Sequence, residues 1–207
     1  MNKVGIIGKK LLMTQLSNGR EIKPVTAIKV GGNFVSQVKI KEKDGYNSCQ
    51  ISFGDCKEKS LNKPLLGHLK KNNLSPKKHL REIRGMEGFE EGQEINLSNF
   101  KVGETVRLTG ISKGKGFTGV TRRYGFALGA MSHGGGYPHR LIGSMGGGRG
   151  SNQGIPKGKK MPGRMGTDKL TQNSTIERID IENQIIFVQG SVPGARGSIV
   201  VLKKEVL

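Results

Sequence analysis

The chain has 207 residues, of which 35 are Lys or Arg and 16 are Asp or Glu, so its formal net charge is +19. Only 33% of the residues are hydrophobic, Trp is absent and 33 residues are Gly, which predicts that part of the chain lies outside any packed core. A charge this large opposes compact folding unless a polyanion neutralises it, and nucleic acid is the commonest polyanionic partner. No apolar run reaches the roughly 20 residues of a membrane helix, and the first ten residues resemble neither a secretory signal nor a transit peptide. We therefore expect a protein without a membrane partner.

Short β-rich runs, separated by Gly, Asn and Asp, dominate the beginning and the end of the chain. The predicted strands are Val4–Ile7, Val25–Val30, Phe34–Ile40, Cys49–Phe53, Val106–Gly110, Thr175–Ile181, Ile185–Gln189 and Ile199–Leu202. Asn18-Gly19, Asp44-Gly45 and Glu182-Asn183 are pairs of the kind that close hairpins. Regularly spaced short strands of this kind predict a barrel or a sandwich. Weaker helical spacing over residues 64–84 predicts a small, partly helical insertion at 58–95.

The middle of the chain has a different composition. Residues 105–167 contain 11 basic and no acidic side chains, and they hold 18 of the 33 glycines. Residues 1–104 carry a net charge of +8, and residues 168–207 carry none. A glycine-rich, highly charged segment loses much entropy on ordering and buries little apolar surface, so it should not fold alone. We expect a partner molecule to order it between strands of the β-rich body.

The residue types of this block suit RNA. Lys and Arg neutralise phosphates and release counterions, glycines allow close backbone approach, and aromatic rings stack on bases. The candidate RNA-binding residues are Lys113, Lys115, Phe117, Arg122, Arg123, His133, His139, Arg140, Arg149, Lys157, Lys159, Lys160 and Arg164. A solvated linker is the alternative, but the non-repeating mixture of Phe, Tyr, His, Met and Pro indicates a specific bound shape. A long irregular segment also suits a folded RNA better than a DNA groove.

Other kinds of site fit less well. Gly114, Gly116 and Gly119 match the spacing of a dinucleotide-binding turn, but no acidic residue follows before Asp168. Cys49 and Cys56 lie seven residues apart without a second close pair, so they do not form a zinc motif. The glycine-rich block has no carboxylate for acid–base chemistry. We expect no catalytic residues, no metal site, no small-molecule substrate and no enzymatic activity.

Several motifs resemble one known family in order along almost the whole chain. They are Gly8–Thr14, Pro24–Thr26, Asp44–Tyr46, Gly67-His68, Gly92–Ile95, Gly110–Gly119 (GISKGKGFTG), Met131–Gly134, His139-Arg140, Gly143-Ser144, Lys157–Gly166 (KGKKMPGRMG) and Val192–Gly194. On these motifs the chain resembles the bacterial type of the universal third protein of the large ribosomal subunit. The tip of the glycine-rich block departs from the family by an apparent extra residue. A Gln that is methylated there in some members would fall near Arg149 or Gln153, so this modification is not carried over.

The resemblance implies a mainly β fold: a translation-factor-like β-barrel body, a small α+β insertion and a long, extended, irregular basic loop. Applied to this sequence, it places the first part of the barrel at 1–57, the insertion at 58–95, a barrel strand at 96–111, the loop at 112–166 and the last barrel strands at 167–207. It implies a loop that runs toward the peptidyl transferase centre, with its deepest part near residues 146–155.

The resemblance also implies a function and partners. The chain would be a structural constituent of the large subunit that binds 23S-type rRNA and nucleates subunit assembly. It would contact the fourteenth and nineteenth proteins of that subunit and need no cofactor, since any structural Mg²⁺ would be held by the rRNA. The expected location is the ribosome of the bacterial cytoplasm, with an organellar ribosome as the alternative. A free RNA chaperone or general nucleic-acid-binding protein is the alternative function.

Overall fold

The computed structural model describes residues 4–17, 19, 21–136, 139–146 and 154–204 and is mainly β. The strands of this part of the chain are β1 (Val4–Ser17), β2 (Ile22–Lys29), β3 (Phe34–Lys39), β4 (Ser48–Asp55), β5 (Lys77–Arg84), β6 (Thr105–Ile111), β7 (Phe117–Thr118), β8 (Gly163–Arg164), β9 (Lys169–Asp180), β10 (Ile185–Gln189) and β11 (Ile199–Lys204). The α-helices are α1 (Lys41–Asp44), α2 (Lys63–Lys70) and α3 (Val120–Tyr124), and 3-10 turns lie at Glu58–Ser60 and Leu97–Asn99. Among the described helices, none has the length and apolar character to cross a membrane.

The chain divides into two compact units, of which the first comprises residues 1–111 and 169–207. Six strands of this unit form a closed antiparallel barrel in the order β1-β11-β6-β9-β10-β2. Alternate residues of its strands, such as Val106, Leu108, Val200 and Leu202, are fully buried. This period of two is what a sheet with one face on the core requires. The structure confirms the prediction of a mainly β fold with a barrel body.

A second sheet lies in the same unit, in the order β3-β4-β5. The sequence analysis assigned β3 and β4 to the first part of the barrel, at 1–57, and predicted helical character over residues 64–84. The structure corrects both points, because β3 and β4 pair with each other and with β5, and only Lys63–Lys70 of the predicted helical region is α-helical. Alternation along a strand identifies its buried face but not its partner, and Pro76 separates the helix from the strand that follows.

The barrel and the second sheet share one hydrophobic core. Ile83 of β5 packs against Gly5 of β1, where a Cβ atom would lie 2.3 Å from the Ile83 Cδ1 atom. Glycine at this position therefore allows β5 to lie directly against the barrel wall. The shared cluster contains Ile6, Ile28 and Leu202 of the barrel together with Val35, Ile51 and Ile83 of the second sheet.

Candidate nucleic-acid interface

The second compact unit comprises residues 112–168, of which 137–138 and 147–153 lie outside the described residues. Its two ends run side by side as a short stem. The Ser112 N–H donates to the Asp168 carbonyl at 2.9 Å, and the Lys115 N–H donates to the Met165 carbonyl at 2.9 Å. Beyond these bonds, β7 and β8 pair Phe117 with Arg164. The basic block therefore leaves and returns at one point of the chain.

Ser112 and Gly166 fix the base of the stem. The Ser112 hydroxyl donates to the Gly166 carbonyl and accepts a hydrogen bond from the Asp168 N–H at 3.3 Å. Gly166 has φ +87°, and a Cβ atom there would lie 2.7 Å from the Lys113 carbonyl oxygen. A side chain at residue 166 would therefore be both strained and in collision with backbone.

Helix α3 brings an arginine against the returning chain. It begins after Gly119 and ends at Gly125, which is left-handed with φ 72°. The Arg123 Nη1 atom donates to the Met161 carbonyl at 2.9 Å. A Cβ atom on Gly163 would lie 2.6 Å from the same Nη1 atom, so glycine leaves room for this bond.

The same arginine stacks on an aromatic ring. The Arg123 guanidinium lies 5.0 Å from the centroid of the Tyr124 ring, and the Lys160 Nζ lies 5.6 Å from that centroid. The Phe126 ring is tilted against Tyr124 at 6.3 Å between centroids. Cation–π contacts of this kind stabilise by about 0.5–1 kcal/mol at exposed sites. The cluster of Arg123, Tyr124 and Lys160 therefore joins α3 to the chain that returns to the stem.

The two candidate histidines differ in their surroundings. His139 is half-buried, and its Nδ1 lies 2.8 Å from the Ala130 carbonyl, to which it donates. The Gly129 N–H donates back to the His139 carbonyl at 3.0 Å. His133 is exposed and has φ 59°, a left-handed conformation in the turn between these two segments. His139 thus has a role in holding the loop together, while His133 is presented to solvent.

Most of the candidate RNA-binding side chains are exposed. Arg123 and His139 are half-buried and bonded to backbone carbonyls, and Arg149 lies outside the described residues. The exposed candidates are Lys113, Lys115, Phe117, Arg122, His133, Arg140, Lys157, Lys159, Lys160 and Arg164. Phe117, at 75% exposure, presents its ring to solvent beside Arg164 of the paired strand. The sequence analysis did not single out Tyr124 or Ser112, whose roles depend on contacts with residues about 40 or more positions away.

Few interactions balance the positive charge of this unit. Between Glu104 and Asp168 the sequence has no carboxylate. The ion pairs that the structure describes, such as Lys39–Glu82 and Lys204–Glu104, all join residues of the first unit. The exposed lysines and arginines therefore present a surface on which an external polyanion is the natural source of negative charge.

The described residues offer little for metal binding. No three His, Cys, Asp or Glu side chains come together there as a metal site would require. Cys49 is buried, its Sγ donates to the Met86 carbonyl at 3.2 Å, and burial raises the pKa of its thiol. A neutral, buried thiol of this kind is a packing residue.

Comparison with known proteins agrees with this picture. The family model described as "Ribosomal protein L3" matches residues 85–181, which include the whole basic unit. The chain is 46% identical to the large ribosomal subunit protein uL3 of Carboxydothermus hydrogenoformans, over 98% of this chain and 97% of the relative. It is 47% identical to uL3 of Bacillus cytotoxicus over the same shares. It is 48% identical to uL3 of Mycoplasma capricolum, over 98% of this chain and 90% of the relative.

These relatives are named as ribosomal proteins and not as enzymes, and their similarity covers both the barrel and the basic unit. The prediction from the sequence motifs, and the expectation that the chain is not an enzyme, are confirmed at the level of the family. On this similarity, the chain belongs to the ribosomal protein L3 family.

Proposed function

We propose that this chain is a structural component of the bacterial large ribosomal subunit and binds its 23S-type rRNA through the basic unit at 112–166. The observation that carries the proposal is the combination of ten exposed candidate side chains with a sequence that has no carboxylate between Glu104 and Asp168. The relatives are named large ribosomal subunit proteins, which supports a location on the ribosome in the cytoplasm.

The proposed binding mode follows from what the unit lacks. Val120 and Thr118 are its buried side chains among the described residues, so the unit has almost no hydrophobic core. Contacts to phosphates supply part of the stabilisation that a core would otherwise give, through release of counterions from the RNA. Glycines bring the backbone close to sugar and phosphate groups, and the exposed Phe117 ring offers a surface for an unstacked base.

A finer proposal concerns assembly and location. We propose that the chain nucleates assembly of the subunit and that its loop runs toward the peptidyl transferase centre. The fourteenth and nineteenth proteins of the subunit are the proposed neighbours, and the sequence motifs support all three statements. The part expected to reach deepest, residues 146–155, lies mostly outside the described residues, which end at Met145-Gly146 and resume at Gly154.

Replacement of the basic unit tests whether it directs assembly. Ile111 and Lys169 are paired neighbours of β6 and β9, so a two-residue Asn-Gly turn could join them and omit residues 112–168. We expect this shortened chain to keep its β-sheet circular dichroism and its cooperative unfolding, because the barrel strands are unchanged. We also expect it to be absent from large subunits that sediment through a high-salt gradient. Incorporation equal to that of the full chain would contradict the proposal.

Binding selectivity separates scaffolding from a general RNA chaperone. The full chain should bind large-subunit rRNA more tightly than an unrelated structured RNA of equal length at the same salt concentration. Equal affinity for both RNAs would favour the chaperone. Both measurements need a stated salt concentration, because non-specific phosphate contacts weaken steeply as salt rises.

A tethered probe tests where the loop lies. A hydroxyl-radical source attached at Ile155→Cys, which is 49% exposed in the native chain, should cleave rRNA near the peptidyl transferase centre in assembled subunits. A probe attached at Lys43→Cys on α1 is the matched control and should cleave elsewhere. Both probes require Cys56→Ser, since Cys56 is partly accessible. Cleavage by the Ile155 probe only at nucleotides far from this centre would contradict the proposed path.

A further inference from the structure

Helix α2 carries a glycine that the fold does not explain. Gly67 lies inside this eight-residue helix, and glycine is the least favourable helix residue after proline. A Cβ atom added to Gly67 would have no heavy atom within 4 Å, so no neighbour in the first unit requires glycine there. Its φ is not left-handed either, unlike that of Gly45, which ends α1. An alanine at residue 67 would fit the structure and favour the helix.

The opposite side of α2 is anchored to the second sheet. Leu69 is 1% exposed, and His68 Nε2 lies 2.7 Å from Gln50 Oε1 on β4. Just beyond the helix, Asn72 Nδ2 donates to the Ser36 carbonyl at 2.7 Å. These contacts fix which face of α2 points outward.

The outward face is basic around Gly67. At 3.6 residues per turn, Lys63, Lys70 and Lys71 fall on the same side of α2 as Gly67, and all three are exposed. Lys70 forms an exposed ion pair with Glu58 at 3.5 Å, which leaves Lys63 and Lys71 as the stronger candidates for an outside partner. Residues 57–84 as a whole contain nine Lys or Arg and two carboxylates.

The nearest acidic stretch approaches elsewhere. Residues 87–94 contain four glutamates, and a Cβ atom on Gly92 would lie 3.7 Å from the Asn72 carbonyl oxygen. Because Asn72 turns toward Ser36, this approach is on the anchored side of the helix and not on the face with Gly67.

We propose that the outward face of α2 is a second RNA-binding surface, separate from the basic unit, and that a phosphate–sugar backbone comes closest at Gly67. Absence of a side chain lets the helix backbone approach the RNA, and Lys63 and Lys71 contact phosphates on either side of it. The choice of RNA as the partner rests on the proposed function, whereas the position of the surface rests on α2 alone.

The variant Gly67→Ala gives the sharpest test, because stability and binding should change in opposite directions. Alanine should raise the melting temperature of the full chain by about 2–4 °C, since it favours the helix and meets no neighbour. It should weaken binding to transcribed large-subunit rRNA by roughly 3- to 10-fold, because the added methyl group holds the RNA away. A higher melting temperature with unchanged rRNA affinity would overturn the proposal.

A pair of charge variants tests the same surface without altering the glycine. Lys63→Gln with Lys71→Gln should reduce the slope of log affinity against log salt by up to about 2, because two phosphate contacts are lost. Lys41→Gln with Lys43→Gln on α1 is the matched control, since these two lysines are also exposed on a short helix of the first unit. Equal slopes for the two pairs would overturn the proposal, whatever effect Gly67→Ala has on folding.

Comparison with the basic unit separates this inference from the proposed function. If variants in the basic unit lower the salt slope and the α2 variants do not, the α2 surface is wrong and the proposed function stands. If no variant affects rRNA binding, both fail. If the α2 variants reduce incorporation into subunits but leave rRNA affinity unchanged, the surface meets a protein, which also overturns the assignment to RNA.

Discussion

The side-chain amide of Asn33 pairs with both backbone groups of Ile7. Its Nδ2 donates to the Ile7 carbonyl at 2.9 Å, and its Oδ1 accepts from the Ile7 N–H at 3.0 Å. Pairing between β1 and β2 begins only at Lys9, because the chain after β2 has already turned toward the second sheet. The fully buried Asn33 amide therefore replaces the missing strand neighbour of Ile7.

Substitution of Asn33 should destabilise the first unit strongly. Asn33→Ala leaves the N–H and the carbonyl of Ile7 buried without partners, at about 1–3 kcal/mol for each group. We expect a loss of roughly 3 kcal/mol in the free energy of unfolding, measured by urea denaturation. Asn62→Ala is the control, because Asn62 is exposed and its side chain makes no capping bond to α2. Equal effects of the two substitutions would mean that the amide contributes little.

Lys77 should depend on Asp55 for its burial. The Lys77 side chain is 4% exposed, its Nζ lies 2.7 Å from Asp55 Oδ1, and it also lies 4.6 Å from the Phe34 ring centroid. Asp55→Asn removes the compensating charge and should lower the free energy of unfolding by about 1–2 kcal/mol, since the carboxylate itself is largely exposed. Asp55→Asn combined with Lys77→Met should recover most of this loss. No recovery in thermal unfolding would show that the ammonium group is not the source of the penalty.

The same pair gives a pH dependence with a defined sign. The hydrogen bond from Lys77 holds the pKa of the Asp55 carboxyl below its ordinary value, against the opposing effect of partial burial. The folded state therefore favours the ionised carboxyl, which stabilises the protein above the unfolded pKa of about 3.9. That contribution is lost as pH falls through the lower, folded pKa. Between pH 5 and pH 2, unfolding of Asp55→Asn should vary less with pH than that of the wild type, and an identical profile would contradict this.

Adjacent arginines on α3 should affect RNA binding in different ways. Arg122 is exposed, so Arg122→Gln should remove a phosphate contact and reduce the salt slope by about 0.7–0.9. Arg123 bonds to the Met161 carbonyl and stacks on Tyr124, so Arg123→Gln should weaken rRNA binding through the shape of the loop with a smaller change in slope. Filter binding over a series of salt concentrations measures both quantities.

Gly163→Ala provides an independent check on Arg123. The added methyl group would collide with the Arg123 guanidinium while leaving the charge of the chain unchanged. It should therefore weaken rRNA binding as Arg123→Gln does, and the two changes together should be less than additive. Full additivity would indicate that Arg123 acts through direct contact with RNA.

The lysines of the returning chain should account for a large part of the salt dependence. Lys157, Lys159 and Lys160 are exposed, although Lys159 also reaches the Ser144 carbonyl at 3.4 Å. Replacement of all three with Gln should reduce the salt slope of rRNA binding by up to roughly 3. The same three changes should leave the melting temperature of the free protein nearly unaltered, because no buried contact is lost. An unchanged slope would mean that these lysines do not meet phosphates.

The strands were predictable where a strand shows its own pattern. Ile185–Gln189 was predicted with its observed bounds, and the hairpin turn at Glu182-Asn183 was also correct. Strand β5 was missed because Lys77 is a buried cation and Arg81 an exposed one on the same face, so the sequence shows no apolar alternation. The assignment of β3 and β4 to the wrong sheet has a different cause, since strand pairing depends on distant residues such as Asn33 that no local pattern reveals.

The candidate site was predictable in composition but not in detail. Charge and glycine content located the basic unit, and most of its candidate side chains are exposed in the structure. Composition could not distinguish Arg122 from Arg123, because the difference lies in Met161 and Tyr124, which the fold brings to one of them. The basic face of α2 was not predicted either, because its meaning depends on the absence of neighbours around Gly67.

The pairing of β1 with β11 has a consequence for biosynthesis. Lys9 pairs with Ile199, so the barrel cannot close until almost every residue between them has been translated. At about 5–20 residues per second, Ile6 and Ile7 wait on the order of 10–40 s for their strand partner. The cationic segment emerges before that partner does, so it is available to nascent rRNA while the barrel is still open. Capture of the growing polypeptide by RNA can therefore precede completion of its own fold.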